Sequence, residues 1–358
     1  MRMMWRGVVV LMLSLLWVGI VGAQDATPDP NEVACESPFV RVDALGEDVS
    51  IVSVNDAYFP SGRFGARMQF GFAYQLLQYE IRIAQLENAA ESSGTDIGTL
   101  LASDTQLASM RLSLETPIIL AERILTEISE EAVVWAYAEA NGLTITQVDV
   151  TDAQNQFFSI GEDIAVEERD STIAQFNGRL VSDTVSQADV DAFYCRLAVN
   201  NVVRTALFGM GEEALYVDTA HILLSSEETA NDIIALLSDE DESDTFAGYA
   251  TDLSLDTASA ARGGELGWQP VVFFVLEYAD AVREAEIGLL TTPVQTQFGW
   301  HVIMLNGRET RAVEGSQREL ILSTQFTNWR TEQLATMTVI RSDNWQTFLP
   351  ALPSVLFQ

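Results

Sequence analysis

Two histidines, His221 and His301, are the only imidazoles in this chain of 358 residues. Each lies in a short apolar run rich in β-branched residues, at 219–224 and 300–305, which is typical of a half-buried β-strand. We therefore expect both side chains to point into one small domain. Single histidines on strands are more often hydrogen-bonded core residues than functional ones. The residues between His221 and His301 are therefore needed to distinguish these two interpretations.

The cysteines and serines offer little further chemistry. Cys35 and Cys195 are too far apart for a Cys-x-x-Cys motif, and a disulfide bond closing a long loop is their expected state in an exported protein. A zinc site made from both cysteines and both histidines is the alternative, although neither pair has the spacing of zinc ligands. No serine lies in the context of a nucleophile elbow, so a serine-type triad is not expected.

The charged residues exclude other classes of function. The chain has 52 acidic and 19 basic residues, all of the latter arginine, which gives a formal net charge of −33. This charge repels phosphate backbones and anionic lipids, so neither nucleic acid nor a membrane surface is an expected partner. Without lysine the chain has no Schiff-base chemistry and no phosphate loop ending in Gly-Lys. We expect no cofactor and no bound metal ion.

The first 48 residues indicate export. Residues 1–23 combine two arginines, an apolar stretch and a final Val-Gly-Ala, which predicts a secretory signal peptide. An uncleaved anchor is the alternative, but the apolar stretch is shorter than the roughly 20 residues of a spanning helix, and no stable membrane span is expected after cleavage. Residues 24–48 are rich in Pro, Asp and small residues and predict a flexible lead-in. The mature chain is expected in the periplasm, the cell envelope or the medium.

Helices predominate in the first half of the mature chain. The predicted elements are a strand at 49–54 and helices at 65–88, 114–141 and 190–208. The polar, Ser-rich segment at 90–109 is either a loop or a frayed helical hairpin. A last helix at 318–335 contains Trp329 and so many apolar positions that it needs a partner surface.

Four separated blocks lie between the two histidines. They are Ser-Leu-Asp at 254–256, Arg-Gly-Gly-Glu-Leu-Gly-Trp at 262–268, Glu-Tyr-Ala-Asp-Ala at 277–281 and Pro-Val-Gln-Thr-Gln-Phe-Gly-Trp-His at 293–301. In this order and at these spacings, the segment 216–308 resembles a parvulin-type peptidyl-prolyl cis/trans isomerase. The exported chain as a whole, with its helical half, this insert and a closing helix, is similar to the SurA and PrsA class of extracytoplasmic foldases.

The resemblance implies an α+β architecture. A mostly helical, chaperone-like domain at 49–215 would precede a parvulin domain at 216–310, and the helix and tail at 311–358 would pack on the first domain. The parvulin domain would be a four-stranded antiparallel sheet wrapped by helices, with both histidines on neighbouring inner strands.

The resemblance also assigns the site residues. His221, Asp256 and His301 are the expected catalytic residues, with Asp256 facing the substrate carbonyl and the histidine pair setting polarity and geometry rather than acting as acid and base. The expected substrate-binding residues, for which plain core packing is the alternative, are Leu266, Phe274, Tyr278 and Phe298.

The implied activity is isomerisation of X-Pro bonds in unfolded or nascent exported proteins. The chain departs from the family pattern at 272–274, where Val-Phe-Phe replaces Gly-Gln-Met, at Tyr278, which replaces Phe, and at Leu255, which replaces an acidic residue. These departures leave a second interpretation open, namely a holdase chaperone with a degenerate, non-catalytic parvulin domain.

Overall fold

A computed structural model of the chain describes residues 32–161, 164–238 and 245–352. The predicted signal peptide and residues 24–31 of the predicted lead-in lie outside these residues. Within the described ranges no helix is long and apolar enough to cross a membrane.

Over those ranges the chain combines helices with three antiparallel sheets. The strands are β1 (Val33–Cys35), β2 (Ser50–Val54), β3 (Ala57–Pro60), β4 (Ile145–Thr146), β5 (Glu213–Leu224), β6 (Glu265–Pro270), β7 (Gly288–Leu289), β8 (Val294–Thr296), β9 (Gly299–Ala312) and β10 (Val339–Arg341). The helices are α1 (Ser61–Ser93), α2 (Ile97–Ser103), α3 (Thr105–Glu115), α4 (Pro117–Ala140), α5 (Gln147–Phe157), α6 (Val166–Leu180), α7 (Gln187–Phe208), α8 (Glu227–Leu237), α9 (Phe246–Leu253), α10 (Thr257–Ala260), α11 (Leu276–Glu284) and α12 (Gly315–Thr336).

The helical domain is built from both ends of the described chain. The strands β10, β2 and β3 form one sheet, in which Val339 and Ile340 pair with Val54 and Ser53. The closing helix α12 packs on α4, where the rings of Trp329 and Tyr137 meet edge to face at 5.4 Å. The last helix therefore packs on the helical domain through Trp329, and its Ile321 also packs with Tyr216 of β5.

Local signals set the helix boundaries in this domain. Ser186 and Asp189 form a capping box that begins α7. Pro117 begins α4, because proline fits the first turn of a helix and disfavours helical backbone at the residue before it. The helix predicted at 114–141 therefore begins at Pro117, and residues 114 and 115 belong to the end of α3. Of the two expectations for 90–109 the helical one is correct, since Asp96 and Asp104 cap α2 and α3.

Residues 32–48 do not form an unpacked lead-in, in contrast to the sequence prediction. The strand β1 pairs with β4, and Cys35 forms a disulfide bond with Cys195 in α7. Backbone pairing and a covalent link hold a segment whose composition alone does not indicate order. The same bond contradicts the zinc alternative, because each sulfur is bonded to the other.

The sheet domain spans residues 213–312 and is inserted between α7 and α12. Its four-strand path is β6-β5-β9-β7, and β5 and β9 are paired from Glu213 and Ala312 to Leu224 and Trp300. The short strand β8 also pairs with β9, ahead of β7 on the same edge. The fourth position of the sheet is thus shared by two short strands, since β9 is longer than either of them.

The two faces of this sheet have different cores. Ile222 and Val302 pack against α8 and α9, whereas Val217 and Ile303 pack against Tyr278 of α11. Because side chains alternate along a strand, His221 lies on the face of Val217 and therefore toward α11.

Candidate active site

The two histidines contact each other across the central strands. The Nδ1 atoms of His221 and His301 are 3.0 Å apart, and both side chains are buried. The rings are stacked with centroids 5.1 Å apart. On its other side His301 places Nε2 at 2.8 Å from the hydroxyl of Thr296 in β8.

Asp256 holds the outer end of this pair. It caps α10, and its Oδ1 accepts a hydrogen bond from the N–H of Ala258 at 3.1 Å. Its Oδ2 lies 2.9 Å from His221 Nε2 and accepts the hydroxyl of Ser259 at 2.5 Å. The hydrogen bond from Ser259, followed by the one from His221, lowers the pKa of Asp256 to about 2 although partial burial opposes this shift. At neutral pH the group is a carboxylate.

When both imidazoles are neutral, one proton arrangement satisfies the whole set. Ionised Asp256 only accepts, so His221 carries its proton on Nε2 and accepts at Nδ1. His301 then donates from Nδ1 and accepts the Thr296 hydroxyl at Nε2, and Thr296 Oγ1 accepts the N–H of Phe298 at 3.1 Å. Burial, with a smaller effect of His221, lowers the pKa of His301 to about 4 and favours this neutral form.

These bonds form one directed chain from the backbone at Phe298 to the carboxylate of Asp256. All four ring nitrogens are engaged within it, so neither imidazole has a lone pair left for a metal ion. Among the described residues no group of three or more His, Cys, Asp or Glu side chains is arranged to hold one.

Backbone contacts fix the chain around His221. Gly264, with φ +84°, lies so close to the strand that a Cβ atom there would be 2.4 Å from the His221 carbonyl oxygen. Its own carbonyl accepts the His221 N–H at 2.9 Å. The Leu255 N–H donates to the Leu223 carbonyl at 2.8 Å and places Asp256 opposite the imidazole. A glycine is therefore required at 264, both for its backbone conformation and for this close approach.

Tyr278, which is predicted to bind substrate, is buried. Its side chain is 2% exposed, its ring stacks on Phe274 at 4.7 Å, and it meets His301 edge to face at 5.4 Å. The hydroxyl, whose partner the sequence does not reveal, donates to Thr219 Oγ1 at 3.2 Å. Burial raises the pKa of Tyr278, so the phenol stays protonated.

The other predicted pocket residues reach the surface. Leu266 and Phe274 are half-buried and pack in the same cluster as Tyr278, and the side chain of Phe298 is 60% exposed. Asp256 is 28% exposed at its side chain. The face toward α11 therefore presents apolar side chains together with one ionised oxygen pair.

Sequence reasoning missed Ser259 and Thr296. Both hydroxyls bond directly to the residues that it selected, Ser259 to Asp256 and Thr296 to His301. The available signal was position, because Ser259 follows Asp256 by three residues at the start of a helix and Thr296 lies inside the block at 293–301.

The sheet domain is similar to known proteins. Residues 221–307 match the family described as Rotamase, PPIC-type PPIASE domain. A probable parvulin-type peptidyl-prolyl cis-trans isomerase of Bordetella pertussis is 45% identical over 95 residues, which cover 26% of this chain and 35% of that protein. The foldase protein PrsA of Geobacillus sp. is 33% identical over 105 residues, covering 29% and 37%. The chaperone SurA of Idiomarina loihiensis is 36% identical over 103 residues, covering 28% and 22%.

The chain thus spans well under half the length of these curated relatives. Among solved structures, PrsA from Bacillus anthracis has a TM-score of 0.35 and 20% identity, covering 60% of this chain and 94% of that one.

Proposed function

We propose that the parvulin-type domain formed by residues 221–307 catalyses cis/trans isomerisation of X-Pro bonds in unfolded exported polypeptides. The observation that carries this proposal is the directed hydrogen-bond chain that ends on Asp256. It fixes an ionised, partly exposed carboxylate beside His221, on the face of the sheet where the half-buried side chains of Leu266 and Phe274 pack.

This arrangement suits a reaction that breaks no covalent bond. An X-Pro bond rotates slowly because amide resonance must be lost, with a barrier of about 18–20 kcal/mol. Apolar side chains can seat the proline ring and remove water from the amide. Resonance puts negative charge on the carbonyl oxygen of the planar amide, and this charge decreases in the twisted amide. A carboxylate near that oxygen therefore repels the ground state more than the transition state.

In this mechanism the histidines are positioning residues. Every ring nitrogen of His221 and His301 is hydrogen-bonded inside the domain, so none faces an incoming chain. His221 donates a hydrogen bond to Asp256 and so fixes the position of its carboxylate. His301 links His221 to Thr296 and, through Thr296, to the backbone at Phe298. Loss of His221 should therefore lower folding stability at least as clearly as turnover.

The helical domain completes a foldase of the SurA and PrsA type in this proposal. The sequence features that support export are the leader expected at 1–23 and the disulfide bond between Cys35 and Cys195, which suits an oxidising compartment. The partners are unfolded or nascent exported proteins, and the place of action is the periplasm or the cell envelope.

A proline-limited refolding assay tests the activity. Asp256→Asn removes the charge while keeping the shape, and it should lower the catalysed rate by at least about tenfold, equivalent to about 1.4 kcal/mol of transition-state stabilisation. Asp252→Asn is the matched control, because Asp252 is an exposed carboxylate four residues earlier in α9. Leu266→Ala should also slow the reaction through loss of the apolar seat. If wild type accelerates refolding and Asp256→Asn does so equally, the role of the carboxylate is refuted.

The second candidate is a holdase without isomerase activity. The observation in its favour is the altered pocket, in which Tyr278 is locked to Thr219 beneath the surface. It predicts that wild type, Asp256→Asn and Leu266→Ala all leave the refolding rate at its spontaneous value while aggregation of the client is still suppressed.

A further inference from the structure

A cavity lies in the helical domain, away from Asp256. Its volume is about 310 Å³, and all of its lining residues lie outside the sheet domain. The walls come from β1 and the residues after it, from β3, and from α1, α4 and α7, with the disulfide bond in the lining. This volume is within the range that small ligands or one or two amino-acid residues occupy.

Arginines gather at this cavity although the chain is strongly acidic. Arg63, Arg67 and Arg196 line it, and a neighbouring cavity of about 260 Å³ shares Arg67 and Arg196 and adds Arg123. The two linings together hold four arginines and four acidic residues, so they are neutral overall in a chain that has 52 acidic residues against 19 arginines.

Two donors in the lining are unsatisfied. Nη1 of Arg196 is buried and has no hydrogen-bond partner, and the same is true of the indole nitrogen of Trp135, which lies near the carboxylate of Glu131 without a hydrogen bond of good geometry. Trp135 itself is 6% exposed. Because a buried donor without an acceptor destabilises the fold, these two atoms are favourable sites for an acceptor that enters the cavity.

The remaining charged groups already have partners or are exposed. Arg67 donates to Glu131 at 2.9 Å, and burial raises the pKa of Glu131 in spite of this pair. Arg63 donates to the carbonyl of Pro38. Asp189 is half-buried and engaged by Ser186 in the capping box, and Glu36 is exposed.

We infer that this arginine cavity binds a carboxylate carried on an apolar group. Arg196 and the indole N–H supply donors for the carboxylate oxygens, and the buried rings of Phe59 and Phe70 supply an apolar wall. The ligand is either an acidic residue next to an apolar one in a polypeptide or a free small carboxylate. The inference concerns a site separate from the isomerase site and does not depend on its activity.

Two matched probes test the chemistry on the unaltered protein. Titration calorimetry of the mature chain compares 3-phenylpropanoate with its neutral isostere 3-phenylpropanamide. We expect the carboxylate to bind at least about tenfold more tightly, since hydrogen bonds to a charged acceptor are stronger than those to a neutral one. The indole N–H resonance that disappears in Trp135→Phe should shift on addition of 3-phenylpropanoate.

Variants then locate the site. Arg196→Gln should weaken binding of 3-phenylpropanoate at least about tenfold. Arg169→Gln should not, because Arg169 pairs with Asp170 on α6 and does not line the cavity. Neither variant should change the proline-limited refolding rate, so failure of this site and failure of the isomerase are distinguishable.

A further titration with peptides tests whether the carboxylate belongs to a polypeptide or to a free small molecule. The peptide acetyl-Ala-Phe-Asp-Ala-amide and its Asn analogue replace the two small probes. A preference for the Asp peptide supports a polypeptide ligand, whereas binding of 3-phenylpropanoate alone supports a small carboxylate. The inference is overturned if 3-phenylpropanoate and 3-phenylpropanamide bind with equal affinity, or if neither probe shifts the Trp135 resonance.

Discussion

The burial of His301 makes the stability of the protein depend on pH in a defined direction. The pKa of His301 is lowered to about 4 in the folded chain, chiefly by burial, against 6.5 for an unperturbed histidine. As the pH falls below 6.5 the unfolded chain gains a proton at this residue and the folded chain does not. Acid therefore stabilises the unfolded state, and stability is lost progressively between pH 6.5 and pH 4.

The size of this effect follows from the two pKa values. The full contribution is about 3 kcal/mol, of which about 2 kcal/mol falls between pH 7.5 and pH 5.0. His301 is 4% exposed, so solvent screening reduces this figure little. Asp256 does not affect this comparison. Its pKa is lowered to about 2, so its contribution to the free energy of unfolding is lost only between pH 3.8 and pH 2.

Urea denaturation of wild type and His301→Gln at the two pH values measures the effect. The Gln amide can donate to His221 and accept from Thr296, yet it does not titrate. The other titratable groups are common to both proteins, so their contributions to the pH dependence of the free energy of unfolding cancel in the comparison. Wild type should lose about 2 kcal/mol more than the variant on going to pH 5.0. An equal loss in both proteins would refute the assignment of a neutral, buried imidazole at His301.

Two further changes probe the supports of the site and of the helical domain. Tyr278→Phe removes the donor to the buried Thr219 hydroxyl and should lower the free energy of unfolding by about 1–2 kcal/mol in urea titrations, whereas an unchanged value would mean that the hydroxyl contributes nothing. Replacement of Cys35 and Cys195 by serine opens a loop with a sequence separation of 160 and should destabilise the helical domain by up to about 5 kcal/mol. The refolding activity of the sheet domain should survive that replacement; its loss would show that the two domains depend on each other.

Much of the site is accessible to sequence reasoning because its main residues lie in compact blocks. The apolar runs around His221 and His301 identify two strands, and antiparallel pairing of those strands brings the rings together. Asp256 follows from its block at 254–256. What the sequence does not reveal is which of many hydroxyls completes the chain, since Ser259 and Thr296 differ from other Ser and Thr residues only in tertiary position.

The same distinction applies to the fold. Periodicity predicts the long helices and the capping box predicts the start of α7. The order in β1 depends on a partner strand more than a hundred residues later, so composition at 32–48 does not reveal it. The burial of Tyr278 likewise depends on how α11 packs on the sheet, because a tyrosine in an amphipathic helix can be either buried or exposed at the surface.

The strand pairing also determines which strands can find their partners before the whole chain has been synthesised. The sheet domain is a continuous stretch whose two ends, Glu213 and Ala312, are paired neighbours, so it can close as soon as residue 312 is free. Until β10 arrives, one edge of β2 lacks its neighbour. We therefore expect a chain that ends before residue 339 to contain every strand of the sheet domain but to lack the strand that pairs with β2 in the helical domain.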